Sequence, residues 1–119
     1  MKFYYEDNLI RTSKNHVYTH ALIDQRGNAI TCGASRKRCE KELLRKLHEV
    51  ERNLMNLENA LKARATGEKR VRWFVGCTSY YINLYELKNI DKFEEYIATD
   101  KEIIHIIMHE WKIIELEAR

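Results

Sequence analysis

The sequence predicts an α+β fold: a small antiparallel β-sheet with one long coiled-coil-like helix and C-terminal helices, in a single domain over residues 1–119. Leu43, Leu47, Val50, Leu54, Leu57 and Leu61 recur at alternating spacings of four and three, the heptad seam of a helix that meets a partner. The first third alternates instead with a period of two, as strands do, and apolar residues near the C-terminus return to helical spacing.

Residues 2–11 predict a first strand region, broken near Asp7-Asn8. Residues 16–24 alternate, with Val17, Thr19, Ala21 and Ile23 on one side and His16, Tyr18, His20 and Leu22 on the other. A turn at Gln25-Arg26-Gly27-Asn28 leads into Ala29-Ile30-Thr31-Cys32, and Gly27 supplies the positive φ that a tight turn needs. Ser35 is the natural N-cap of the long helix and Thr66-Gly67 its stop. No Gly or Pro interrupts the stretch between, so the helix is expected to reach about 45 Å.

Val71, Trp73 and Val75 alternate with Arg70, Arg72 and Phe74 in a further strand ending at Gly76-Cys77. Residues 79–87 fit a strand through their tyrosines and a helix through Tyr80, Leu84 and Leu87. A short helix is expected at 91–98, followed by a capping box at Thr99-x-x-Glu102. The last predicted helix sets Glu102, His105, His109, Lys112 and Glu115 opposite Ile104, Ile107, Met108, Trp111 and Ile114.

Composition narrows the function classes. Hydrophobic residues make up 45% and charged residues 33%, ordinary values for a folded chain. The net charge of +3 favours an anionic ligand weakly and falls short of the pI above about 9 of a committed nucleic-acid binder. Neither a signal-peptide core nor a transmembrane-length apolar run is present, and three cysteines without a Cys-x-x-Cys pair fit reduced thiols. A cytoplasmic location is therefore expected, with no membrane partner and no cofactor.

The helix N-terminus is the first candidate site. Arg36, Lys37 and Arg38 occupy a turn where the helix dipole is already positive. Such crowding is relieved when backbone N–H groups and guanidinium groups converge on a phosphate, with Ser35 adding a hydroxyl. The alternative is a basic helix end splayed into water. Arg11, in the basic group Arg11-Thr12-Ser13-Lys14, is a second anion candidate, and Arg72, Phe74 and Tyr80 are candidates for holding a nucleotide by charge and stacking. Trp73 shares a face with Val71 and Val75 and reads as core.

Metal and catalytic readings find little. His105 and His109 share a helical face without a third ligand, and His16 and His20 on a strand stand more than about 13 Å apart. There is no nucleophile elbow and no nucleophile beside a base.

Taken in order, Arg11-Thr12-Ser13-Lys14, Tyr18-Thr19-His20-Ala21, Gly33-Ala34-Ser35 and the charged helix Arg36–Ala65 resemble phage proteins of the Thoeris anti-defence sponge type. The resemblance implies a non-enzymatic homodimer or higher homo-oligomer that sequesters a cyclic ADP-ribose-type signal made by TIR-domain enzymes, or a cyclic nucleotide. It assigns no site residues. A second reading stays open, a protein-interaction inhibitor or nucleic-acid-associated adaptor acting through the basic surface.

Overall fold

The computed structural model describes every residue, Met1–Arg119, and it is α+β. The chain divides into two compact units, the first formed by Met1–Lys46 and His105–Arg119 and the second by Leu47–Ile104. No helix is long and apolar enough to cross a membrane.

The first unit holds two three-stranded antiparallel sheets. In one, β1 (Lys2–Tyr5) lies between β2 (Asn8–Thr12) and the short β8 (Glu117–Ala118). In the other, β3 (His20–Ile23) lies between β4 (Ala29–Gly33) and β7 (Lys112–Glu115). Leu116 joins β7 to β8, so one stretch of chain closes an edge of both sheets. Ala21, Ile23 and Ile114 form the buried centre, packed by Tyr5, Ile10, Cys32 and Leu116. Phe3, wholly buried, meets the Tyr18 ring edge-on at 5.5 Å.

The expected strand over 16–24 begins only at His20. The segment before it turns, with His16 N–H donating to Ser13 Oγ at 3.0 Å. Nor does β3 alternate buried with exposed: Ala21, Leu22 and Ile23 are all buried, because β3 is a central strand covered on both faces. The turn at Gln25-Arg26-Gly27-Asn28 forms as expected, with Gly27 at φ +84°. Asp24 Oδ1 accepts from the Arg26 and Asn28 N–H groups, both at 2.9 Å.

Helix α1 (Arg36–Ala65) has the bounds expected from Ser35 and Thr66-Gly67. Ser35 Oγ accepts from Arg38 N–H at 3.3 Å. At the other end, Glu68 N–H reaches the Ala63 carbonyl at 2.9 Å and Gly67 N–H the Arg64 carbonyl at 3.2 Å, with Gly67 at φ +76°. These two bonds make a Schellman motif.

The second unit pairs β5 (Arg70–Val75) with β6 (Thr78–Asn83) in a hairpin. Residues 79–87 therefore divide, strand to Asn83 and a 3-10 turn over Leu84–Glu86. The hairpin packs on α1 through Val71, which joins Leu57, Ala60, Ala63 and Phe93 in the unit's core.

Helix α2 (Phe93–His109) corrects three expectations about the C-terminal region. The short helix at 91–98 and the helix after it are one. Thr99 caps nothing: it sits mid-helix and its hydroxyl donates back to the Glu95 carbonyl at 3.1 Å, the usual outlet for a threonine inside a helix. The helix ends at His109, and Lys112–Glu115 is β7 rather than a last helical turn. Polar residues at 112 and 115 around Ile113-Ile114 suit either period, and pairing with β3, Ala21 opposite Ile114 and Leu22 opposite Ile113, decides for the strand, where β-branched residues pack well.

Candidate functional site

Four of the seven sequence candidates fall in the first unit. Arg11, on β2, lays its guanidinium over the Tyr18 ring at 5.1 Å and also interacts with the Cys32 thiol. Burial pushes the Cys32 thiol up, and the Arg11 charge opposes that shift. Cys39, buried in the second turn of α1, is pushed up by burial and by Cys32 nearby, and drawn down by the Gly33 amide and Arg36. Gly33 lets the start of α1 lie close to β4: a Cβ there would stand 3.1 Å from Arg38 Cβ and from the Ser35 carbonyl oxygen, and 3.3 Å from Cys39 Sγ.

The helix end is less open to an anion than its charge suggests. Arg36 Nε is bonded to Glu40 at 3.2 Å, and Ser35 already satisfies the Arg38 amide. Lys37 and Arg38 are exposed and without a carboxylate partner.

The other three candidates lie on the hairpin of the second unit and divide between its faces. Directly opposed residues of an antiparallel pair share a face, so Tyr80, opposite Trp73, lies on the inner face, while Arg72, opposite Tyr81, and Phe74, opposite Ser79, lie on the outer one. Phe74 and Tyr80 therefore do not stack on one ligand from the same side. Tyr81 takes that place. Arg70 lies over the Tyr81 ring at 5.1 Å, and Arg72 lies 5.6 Å from Tyr81 and 5.9 Å from Phe74. Neither arginine is bonded to a carboxylate, and Tyr81 is 60% exposed.

Asn56 holds this hairpin in place. It is buried on α1, donates from Nδ2 to the Phe74 carbonyl at 2.8 Å and accepts at Oδ1 from Phe74 N–H at 2.9 Å. One side-chain amide thus does what an adjoining strand would do for the outer edge of β5. Trp73, read as core, is only half-buried, packed against the cluster of Leu57, Val71 and Phe93.

Asn53, Asn56 and Asp100 were not singled out by the sequence, although polar amides beside the seam leucines of a helix are a visible signal that they meet backbone or another polar group. Asp100 was obscured by the apparent capping box. No group of three or more His, Cys, Asp or Glu stands close enough to hold a metal.

No family model, curated protein or solved structure matches the chain.

Proposed function

We propose that the protein is a non-catalytic binding module for a phosphate-bearing nucleotide, held on the outer face of the β5–β6 hairpin. The observation that carries this reading is a pair of arginines, Arg70 and Arg72, poised over Phe74 and Tyr81 with no carboxylate to neutralise them. Guanidinium groups pair with phosphate in bidentate fashion, and a ring already stacked with one presents an exposed edge and face to a base. The resemblance in the first half of the sequence supports a narrower form: a phage anti-defence protein that sequesters a cyclic ADP-ribose-type or cyclic nucleotide signal in the host cytoplasm.

Self-association belongs to the same proposal. Along α1, Leu43, Leu47, Val50 and Leu54 are only half-buried, and Leu44 and Met55 are exposed. Pairing of two α1 helices over this stretch would cover them and give two ligand sites per dimer.

Isothermal titration with cyclic ADP-ribose isomers and cyclic dinucleotides tests the reading. Saturable binding is expected, weakened about tenfold or more by Arg72→Ala, in line with about 1.5–3 kcal/mol for a hydrogen bond to a charged group. Mass spectrometry should recover the ligand unmodified. Absence of heat at high micromolar ligand removes the proposal, and binding to oligonucleotides that collapses as salt rises would replace it with the adaptor reading.

A further inference from the structure

The inner side of the same unit holds a second chemistry. A cavity of about 400 Å³ is bounded by Trp73 of β5, by Phe93, Tyr96 and Asp100 of α2, and by Asn53 of α1. A neighbouring cavity of about 430 Å³ shares Asn53, Trp73 and Asp100. Either is within the range of small-molecule sites.

Asp100 decides what such a guest would be. It is 9% exposed, and its one hydrogen bond is from Asn53 Nδ2 to Oδ2 at 2.7 Å. No Lys, Arg or His is bonded to it. Arg52 and Lys88 reach the cavity walls, Lys88 as an exposed rim residue, without pairing with the acid. Its Oδ1 has no partner within the chain and is not sealed from the surface, so it is open to a cation in the cavity, which a largely buried acidic group favours.

The rest of the lining suits a cation with a greasy coat. Phe93 and Tyr96 stand with ring centres 6.1 Å apart at 38°, and Trp73 supplies a third ring from the hairpin. Aromatic faces attract cations, tryptophan most strongly, and several rings around one charge are the recurrent way of holding alkylated ammonium groups. A neutral base could stack here but would leave the acid uncompensated.

We propose that this cavity binds a small organic ammonium ion, its nitrogen against Asp100 and its alkyl groups on Trp73, Phe93 and Tyr96. The site is separate from the nucleotide reading, which concerns the opposite face of the hairpin.

Titration with choline chloride and tetramethylammonium chloride, each against sodium chloride at equal ionic strength, tests it. In a Trp111→Phe background the remaining tryptophan fluorescence reports on Trp73. Saturable quenching by both ammonium salts and none by sodium is expected, and Asp100→Asn should weaken it at least about tenfold while the ligand-free melting temperature is kept or raised. Should that variant fail to fold, Tyr96→Ala carries the test, since Tyr96 is 39% exposed, and a several-fold weakening is expected. Arg72→Ala should leave ammonium binding unchanged. Quenching no different from sodium chloride, or an Asp100→Asn variant that folds and binds equally well, overturns the proposal.

Discussion

Asn56 concentrates much of the second unit's order in one side chain. Both its amide groups are spent on the Phe74 backbone, so Asn56→Ala strands a carbonyl and an N–H together. The expected loss is about 2 kcal/mol or more, read as a lower urea midpoint. Asn56→Asp keeps the acceptor for Phe74 N–H but sets a buried carboxylate oxygen against the Phe74 carbonyl, and should cost at least as much. The cysteines make a separate residue-scale prediction. Cys77 is exposed while Cys39 is buried, so iodoacetamide should modify Cys77 first and Cys39 only as the chain unfolds. Burial raises the thiols of Cys32 and Cys39 in the folded state. Below the unfolded thiol value of about 8.5 both states keep the proton and the stability is fully present. Above it the unfolded chain releases protons first, and stability falls with rising pH. Replacing Cys32 by Ala should flatten that alkaline slope in a series of thermal melts.

At the scale of elements, legibility followed local chemistry. The bounds of α1 were readable because Ser35, Thr66 and Gly67 carry their own cap bonds, which need no distant partner. The end of α2 was not readable, because Ile113-Ile114 become a strand only on meeting Ala21 and Leu22 far away in sequence. The site divided in the same way. Arg72 and Phe74 could be placed together from alternation, whereas the placement of Tyr80 depended on a register set by the turn before Thr78. The leucine seam divides along its length: Leu57 is buried in the core and Leu61 packs on it, while the stretch before them keeps an apolar surface. If α1 pairs through that stretch, sedimentation equilibrium should give twice the 14.3 kDa chain mass. Leu44→Glu with Met55→Glu should then return a folded monomer. A monomer in the unaltered protein removes the pairing.

For the whole molecule, the decisive fact is that the first unit is built from two separated stretches while the second is continuous. The central strands β1 and β3 each have a neighbour from the C-terminal stretch. Removing residues 112–119 would leave both sheets with an unpaired inner edge and uncover Ala21 and Ile23, which pack on Ile114. Such a variant should lose amide-exchange protection through β1 and β3, and protection over β5 and β6 should persist. Equal loss in both units would show a single cooperative transition.

The shared C-terminal stretch also sets a timetable for synthesis. Strands β1 to β4 emerge first yet must wait with their edges open until residues 112–118 arrive, roughly four to twenty seconds later at usual elongation rates. In that interval the β5–β6 hairpin and its helices have every residue they need. The part of the chain made first is therefore the part finished last, and during that wait its exposed strand edges would be what a chaperone holds.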